Sequence, residues 1–291
     1  MPDRELIESR CRSLDPGRHP MLGQLSRDVI YDDGAGMAPG GLILAQSLAE
    51  ELSLEPGARV LDLGCGRGQS SLYLATRYQA QVTSLDLWIS AEERKLRAIE
   101  AGVGEGVTTL QGDVRRGLPI AAGSLDAIFC MQAFHCFGTQ PWVLTYLTSL
   151  LKPGGKIGIA QGCFRDEPDV LPSLFADTGG WNVEYHKYHS TDWWRRHLSS
   201  NDQLDAVTAR EVLDGDILWE DDILYRCQRA DWQPDYLAQC AWLVRHVLHG
   251  QLSAPSLTHC LVTATRTSRA DGVAGQPPRG SSPMLGPGRP A

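Results

Sequence analysis

Residues 60–70 read Val-Leu-Asp-Leu-Gly-Cys-Gly-Arg-Gly-Gln-Ser, and this stretch decides the fold. The run at residues 59–63 is mostly apolar and follows a Pro-Gly pair, which predicts a buried strand. A helical pattern occupies residues 70–78. Glycine lets the backbone turn sharply and approach a ligand with no side chain in the way, and a helix N-terminus offers free N–H groups and the positive end of its dipole. Strand, glycine turn and helix together predict a nucleotide-binding corner.

The glycine spacing narrows the choice of nucleotide. A dinucleotide-binding turn has the pattern G-x-G-x-x-G, whereas this chain has G-x-G-x-G with glutamine at position 69. Asp62, Asp86 and Asp113 close three successive apolar runs. The carboxylate of Asp86 can accept hydrogen bonds from both ribose hydroxyls, and the carboxylate of Asp113 can accept one from an adenine amino group. The carboxylate of Asp62 would repel a pyrophosphate but suits an ammonium group. The pattern therefore indicates an adenosine ligand without phosphates.

Four stretches of the chain resemble the class I S-adenosylmethionine-dependent methyltransferases. They are VLDLGCGRG at 60–68, QGD at 111–113, LDAIFCMQAFH at 125–135 and LLKPGGKIGIA at 150–160. The resemblance looks closest to the small-molecule branch, which includes sarcosine/dimethylglycine-type and cyclopropane-synthase-like enzymes. It implies S-adenosyl-L-methionine as cofactor, S-adenosyl-L-homocysteine as product and a small molecule as methyl acceptor. The identity of that acceptor, and whether its carbon, nitrogen, oxygen or sulfur is methylated, stays open.

Strand and helix patterns alternate through the middle of the chain, which predicts a parallel sheet with right-handed crossovers and helices on both faces. Together with the resemblance, this predicts a doubly wound α/β fold. Its seven-stranded Rossmann-like sheet would have an antiparallel last strand and a helical, aromatic-rich cap insertion. The expected organisation is an N-terminal segment and possible lid at 1–40, an S-adenosylmethionine-binding core at 41–162, a substrate cap with the sixth strand at 163–256, the last strand at 257–267 and a disordered tail at 268–291.

The cofactor is expected at the carboxyl ends of the first four strands. Asp86 would hold the ribose, with helix capping as its alternative role. Asp113 and Val114 would flank the adenine, and Gln132 would lie near the methionine and sulfonium. Asp62 would orient the loop or meet the methionine ammonium through water. The expected cofactor-binding residues are Asp62, Gly64, Gly66, Gly68, Asp86, Leu87, Asp113, Val114 and Gln132.

His135 is the expected catalytic residue because it follows the fourth predicted strand, beside the expected methyl-transfer point. A neutral imidazole there could take a proton from an acceptor hydroxyl, amine or thiol; the alternative is a buried structural histidine. Many methyltransferases need no strong base, because alignment and desolvation of the acceptor supply much of the catalysis.

An aromatic cap is predicted after residue 180, where six of the eight tryptophans occur. Such rings can enclose an apolar or cationic acceptor, or they can fill the core of an accessory layer. The acids between residues 214 and 222 could attract a cationic substrate, but a solvated loop is the favoured interpretation. The expected substrate-binding residues are Tyr31, His135, Trp193 and Trp194.

Composition restricts partners and compartment. The net charge of −8 argues against a broad phosphate-binding surface and hence against nucleic-acid substrates. Eight cysteines include no C-x-x-C pair and no zinc spacing, so no metal is expected. The charged N-terminus and the lack of a long apolar run predict a cytoplasmic protein without a membrane partner. A monomer or homodimer is expected.

Three alternatives share parts of this pattern. One is another chemistry on the same fold, such as cyclopropanation or aminopropyl transfer. A second is an NAD-dependent oxidoreductase, against which the glutamine at position 69 argues. The third is a non-catalytic S-adenosylmethionine-binding protein, which a decayed glycine loop or a lost ribose acid would indicate; both features are intact.

Overall fold

The structure is a computed structural model that describes residues 2–32, 39–167, 187–231, 233–248 and 257–268. Seven strands form one sheet in the order β3-β2-β1-β4-β5-β7-β6. They are β1 Arg59–Leu63, β2 Gln81–Asp86, β3 Val107–Gln111, β4 Leu125–Met131, β5 Leu151–Phe164, β6 Leu204–Glu211 and β7 Leu257–Arg266. β7 runs antiparallel to β5 and β6, and the other neighbouring pairs are parallel. The predicted doubly wound sheet with an antiparallel last strand is therefore confirmed.

Helices cover both faces of the sheet. Along β1, Val60 packs into one buried apolar cluster and Leu61 into another, as the two-residue period of a strand requires. The first cluster includes side chains of α4 Gly41–Leu52, α5 Gln69–Tyr78 and α6 Ala91–Glu100, and the second includes side chains of α7 Pro141–Leu150 and α8 Thr191–Ser199. Both faces of the parallel strands are thus buried.

Local sequence signals explain where several helices begin. The Ser90 hydroxyl accepts a hydrogen bond from the backbone N of Glu93 at 3.1 Å, and the Ser190 hydroxyl does the same for Trp193 at 3.3 Å. The remaining helices are α1 Pro2–Arg10, α2 Met21–Gln24, α3 Arg27–Ile30, α9 Gly215–Arg229 and α10 Pro234–Leu243. The helical pattern after residue 234 continues beyond α10 as a π-helical turn at Val244–Leu248.

The acids of α9 overturn one sequence interpretation. Glu220, Asp221 and Asp222 are 1%, 1% and 4% exposed, so the interpretation of this stretch as a solvated loop is wrong. Glu220 accepts a hydrogen bond from the Arg12 guanidinium at 2.7 Å, and Asp221 accepts one from Arg27 at 2.6 Å. These cations come from the N-terminal segment, far away in sequence, and buried carboxylates persist when they are paired in this way.

Some expectations lie outside the described residues. Trp181, Trp232 and nearly all of the predicted tail at 268–291 belong to this group. Within the described ranges, no helix combines the length and apolar character needed to cross a membrane.

Candidate cofactor and acceptor site

The candidate site lies at the carboxyl ends of β1, β2 and β4. The chain passes from β1 to β2 and β3 on one side of the sheet, and β4 and β5 lie on the other side of β1. Ligands of open α/β sheets bind at such a switch point, outside the carboxyl ends of the strands. Residues 64–68, here called the glycine loop, follow β1, while Asp86 ends β2 and Gln132 follows β4.

The glycine loop needs glycine for its backbone conformation. The φ angles of Gly64, Gly66 and Gly68 are 75°, 55° and 86°, in the left-handed region. A Cβ on Gly64 would lie 2.3 Å from the Cβ of Ala133, which follows β4. Gly68 is the N-cap of α5, so the free N–H groups of the first turn of α5 lie beside the loop.

Asp86 fastens the glycine loop to the end of β2. Its Oδ2 accepts a hydrogen bond from the backbone N of Gly66 at 2.9 Å. Its Oδ1 accepts from the backbone N atoms of Trp88 and Ile89 at 2.8 and 2.9 Å. Since Ser90 caps the following helix, Asp86 organises the turn before that helix. A carboxylate has about four lone-pair sites, so these three bonds leave capacity for a ligand hydroxyl.

Asp62 lies beneath the loop, fully buried. Its Oδ2 accepts hydrogen bonds from the hydroxyls of Ser70 and Ser71, both at 2.6 Å. Its Oδ1 has no hydrogen-bond partner among the residues that the structure describes. Burial raises the pKa of Asp62 to about 6, although the two serine hydroxyls and Arg94 act in the opposite direction. The carboxylate therefore has one oxygen with acceptor capacity to spare.

The expected adenine side combines apolar and charged residues. Leu87 is 43% exposed directly after β2, and Val114 is buried. Asp113 pairs with Arg115, whose guanidinium lies 2.8 Å from its Oδ2. Burial favours a higher pKa for Asp113, but the hydrogen bonds and charge of Arg115 prevail and hold the pKa below its ordinary value of 3.8. The carboxyl group is therefore ionised at neutral pH.

Gln132 joins three segments at the end of β4. Its Nε2 donates to the carbonyl of Pro39 at 3.0 Å, and its Oε1 accepts from the backbone N of Gly162 at 2.9 Å. Its φ of 55° is unusual for a residue with a side chain. Strained residues of this kind persist where the surroundings hold them, and they cluster at functional sites.

His135 is buried in a short 3-10 helix, Phe134–Cys136, beyond β4. Its backbone N donates to Oε1 of Gln161 at 3.0 Å, and its ring lies edge-on to Tyr188 with centroids 4.8 Å apart. The ring atom Nδ1 has no hydrogen-bond partner within the described ranges. Burial and the charge of Lys187 lower the pKa of His135 to about 3. The imidazole is therefore neutral at physiological pH.

The three other expected substrate residues have different surroundings. The Tyr31 hydroxyl donates to Oδ2 of Asp221 at 2.6 Å, which ties the N-terminal segment to α9. Trp194 is 0% exposed and packs against Phe134, with ring centroids 5.8 Å apart. Trp193 is only partly buried. Of the two tryptophans, Trp193 is therefore the one that a ligand can reach without rearrangement of the core.

Two residues hold the N-terminal segment at the site: Gln69, which the sequence marked only as a departure from the dinucleotide pattern, and Arg97, which no sequence pattern marked. Gln69 donates to the carbonyls of Val29 and Ile30 at 2.6 and 3.1 Å. Arg97 forms an ion pair with Asp32 and donates to the carbonyl of Arg67 at 3.1 Å. Their partners lie about 30 to 65 residues away in sequence, so no local pattern could have revealed these contacts.

Arg94 is a second such residue. It is 2% exposed and donates to the Ser84 hydroxyl at 3.1 Å, to the carbonyl of Ile89 at 2.5 Å and to the carbonyl of Leu110. It therefore ties together β2, the turn after β2 and β3. The one indication of its burial in the sequence is that Arg94 lies four residues before Ala98, and residues four apart lie on the same face of a helix. Within the described part of the chain, no group of three or more His, Cys, Asp or Glu side chains could hold a metal ion.

Part of this chain is similar in sequence to known methyltransferases. Residues 60–155 match a family model described as a methyltransferase domain. Phosphoethanolamine N-methyltransferase 1 of Arabidopsis thaliana is 28% identical over 159 residues, which is 52% of this chain and 30% of that protein. The ubiquinone biosynthesis O-methyltransferase of Xanthomonas axonopodis pv. citri is 39% identical over 125 residues, which is 42% of this chain and 48% of that protein. The chain thus spans half or less of the length of these relatives.

A solved structure shares the fold. Phosphoethanolamine N-methyltransferase 2 of Haemonchus contortus, in complex with S-adenosyl-L-methionine, superposes with a TM-score of 0.66 at 14% sequence identity. The match covers 82% of this chain and 56% of that chain. At this level of identity the likeness establishes the architecture alone.

Proposed function

We propose that this chain, whose residues 60–155 match a methyltransferase domain, binds S-adenosyl-L-methionine at the glycine loop and transfers its methyl group to a small-molecule acceptor. The product of the cofactor is S-adenosyl-L-homocysteine. The observation that carries the proposal is the attachment of the glycine loop to Asp86 by the 2.9 Å hydrogen bond from Gly66. This contact brings a glycine turn, a helix N-terminus and a carboxylate to one switch point of the sheet.

The residues at the loop fit a nucleoside with an amino-acid tail. Asp62 has a buried oxygen to which no residue in the described ranges donates, and an ammonium group is a suitable donor. The exposed side chain of Leu87 offers an apolar surface for a base. The carboxylates of Asp62 and Asp86 disfavour a pyrophosphate because like charges repel. These features support S-adenosyl-L-methionine over a dinucleotide.

When bound, the cofactor supplies a methyl group activated by a positively charged sulfur. The chain has to align the acceptor and exclude water, which are the main sources of catalysis in such a transfer. Gln132 holds the end of β4 against Pro39 and Gly162, so it fixes the floor of the site. The buried Nδ1 of His135 lacks a partner in the described part of the chain, and it can accept a hydrogen bond from an acceptor.

We also propose the setting in which the enzyme works. All eight cysteines are free, which suits a reducing compartment such as the cytoplasm. The net charge of −8 supports a small-molecule acceptor over a nucleic acid. A monomer or homodimer, with residues 163–256 covering the acceptor and residues 1–40 serving as a lid, completes the proposal.

Calorimetry with S-adenosyl-L-methionine, S-adenosyl-L-homocysteine and NAD tests the cofactor assignment. We expect binding of the first two in the micromolar range and no heat with NAD. Release of S-adenosyl-L-homocysteine is then measured with phosphoethanolamine, sarcosine, dimethylglycine and a catechol as acceptors. Binding of NAD, or of none of the three ligands, would show that the glycine loop has been misassigned. Tight cofactor binding without release would instead favour the non-catalytic alternative.

A further inference from the structure

Glu167 and His189 form a paired carboxylate and imidazole beyond the end of β5. Nδ1 of His189 lies 2.6 Å from Oε1 of Glu167, and the backbone N of Ser190 donates to Oε2 of the same carboxylate at 2.7 Å. With Glu167 ionised, the hydrogen atom on Nδ1 points at the carboxylate, and the lone pair of the imidazole lies on Nε2. This is the arrangement of a base with an orienting partner.

The ring of His189 is held in one plane by its neighbours. It stacks on Trp193 with centroids 3.7 Å apart and an interplanar angle of 8°. Among the described residues, Trp194 also lies near this ring, at a centroid distance of 5.9 Å, and His197 stacks on Trp193 at 4.9 Å. Nε2 of His197 lies 2.7 Å from the carbonyl of Gly138 and is engaged there. Among the described residues, the one hydrogen bond of the His189 ring joins its Nδ1 to Glu167.

This pair lies at the sheet edge that carries the candidate cofactor site. The backbone N of Phe164, the last residue of β5, donates to the carbonyl of His189 at 3.3 Å. β5 is the neighbour of β4, and adjacent strands are about 4.8 Å apart. Tyr188, next to His189 in sequence, contacts the ring of His135. Ala160 pairs with Met131 at the end of β4, and Phe164 lies four residues, about 13 Å, farther along β5. His189 therefore lies beyond the carboxyl ends of β4 and β5, at the edge of the sheet that also carries His135 and the glycine loop.

We propose that His189 is the general base of the methyl transfer and that Glu167 positions it, so that the acceptor is a molecule that loses a proton from oxygen or nitrogen as it is methylated. This inference rests on the proposed function. An electron pair of the acceptor atom forms the bond to the methyl carbon, and the sulfur–methyl bond breaks with its electrons remaining on sulfur. The acceptor proton passes to Nε2 of His189. The resulting imidazolium is stabilised by the carboxylate of Glu167.

His135 suits this task less well. It is 3% exposed, and no carboxylate is paired with its ring among the described residues. Protonation would place an uncompensated charge in a buried site, near Lys187, which already disfavours it. The side chain of His189 is 22% exposed and is paired with the carboxylate of Glu167. Water and this carboxylate therefore offset the cost of placing a positive charge on the imidazole. His135 is then the residue that orients the acceptor, and His189 is the residue that receives the proton.

The tautomer of His189 can be measured without any acceptor. The 15N chemical shifts of the histidine rings, assigned with His189→Gln, distinguish a hydrogen on Nδ1 from one on Nε2. In the full chain with S-adenosyl-L-homocysteine we expect the Nδ1–H form at neutral pH, and a mixture of both forms in Glu167→Gln. A hydrogen on Nε2 in the wild-type chain would overturn the assignment, since that nitrogen could not accept a proton.

Kinetics with phosphoethanolamine, sarcosine, dimethylglycine and a catechol test the chemical role. His189→Gln should lower kcat by about 100-fold or more, while cofactor affinity by calorimetry changes less than about threefold. Glu167→Gln should lower kcat by about tenfold, because the imidazole of His189 loses the partner that fixes its tautomer. Added imidazole should restore part of the activity of His189→Ala, which it would not do for a merely structural histidine. Arg195→Gln, in an exposed ion pair on α8 with Asp192, is the control and should match the wild type.

The outcomes separate this inference from the proposed function. Cofactor binding and turnover by the wild type, combined with an unchanged kcat in His189→Gln, would overturn the base assignment and leave the methyltransferase assignment intact. A wild type that binds the cofactor but methylates none of the four acceptors would count against the proposed function, and the tautomer measurement would still decide the role of His189.

Discussion

Gly64 and Ala133 face each other so closely across the switch point that Gly64 has no room for a side chain. A Cβ placed on Gly64 would lie 2.3 Å from the Cβ of Ala133. Gly64 also donates its backbone N–H to the carbonyl of Leu85 at 2.8 Å. The first residue of the glycine loop is thereby clamped between β2 and the segment after β4, and the loop can present its backbone to a ligand from a fixed position.

Replacing Gly64 with Ala should therefore damage both stability and cofactor binding. Its φ of 75° disfavours any side chain, at a cost of about 1–2 kcal/mol, and the overlap with Ala133 adds about 1–3 kcal/mol. Urea unfolding and calorimetry with S-adenosyl-L-methionine measure the two effects.

Gly57→Ala is the matched control for this substitution. Gly57 has a φ of 81° and open space around its Cβ position, so only the backbone strain applies. Equal losses of stability in the two variants would show that the approach of Gly64 to Ala133 is unimportant.

Asp86→Ala should weaken cofactor binding by about 100-fold or more, because the loop loses its bond from Gly66 and a ligand hydroxyl loses its acceptor. Asp126→Asn is a suitable control, since Asp126 accepts a backbone hydrogen bond from Arg59 at 2.8 Å at the opposite end of β1. In calorimetry, Asp126→Asn should bind S-adenosyl-L-methionine as tightly as the wild type. Wild-type affinity in Asp86→Ala would contradict the placement of the ribose.

The glycine loop and the acids at strand ends were predictable because their signals are local. A strand, a turn and a helix within about twenty residues carry their own periodicity and breakers, and the alternation of strands and helices predicts the parallel sheet with right-handed crossovers. The buried acids of α9 were misinterpreted for the opposite reason. Their partners, Arg12 and Arg27, lie 208 and 194 residues away in the chain, so nothing near the acids distinguishes them from a solvated face.

The pairing of Glu167 with His189 escaped prediction in the same way. The sequence placed His189 in an aromatic region without indicating which ring nitrogen meets which carboxylate. The two side chains are 22 residues apart in the sequence, and only the tertiary structure brings them into contact. Similarly, the sequence could rank Trp193 and Trp194 only as equals, whereas burial separates them.

Asp62 should make the protein less stable as the pH rises. Its pKa is about 6 in the folded state against an ordinary 3.8, so between these values the folded chain binds more protons than the unfolded chain. Stability then falls with rising pH, by about 3 kcal/mol over the whole interval. Asp62→Asn removes this titration, and its amide oxygen can still accept from Ser70 and Ser71.

Urea unfolding at about pH 4 and about pH 7 tests this expectation. The free energy of unfolding of Asp62→Asn, relative to the wild type, should increase between the two values. An unchanged difference would contradict the burial of an uncompensated carboxylate. If Asp62 also meets the ammonium of the cofactor, the same variant should bind S-adenosyl-L-methionine more weakly at neutral pH.

His135 should act in the opposite direction, because its pKa is lowered from 6.5 to about 3. Between these values the unfolded chain binds more protons than the folded chain, so this contribution is fully present above pH 6.5 and is lost as the pH falls. From about pH 7.5 to about pH 5 the wild type should lose about 2 kcal/mol through this group. His135→Gln should lack that loss, whereas His259, whose pKa is lowered to about 4, contributes equally to both proteins and cancels in their difference. Parallel pH profiles of unfolding free energy for wild type and His135→Gln would show that the imidazole is protonated or hydrated in the folded protein, and His135 itself could then receive the acceptor proton.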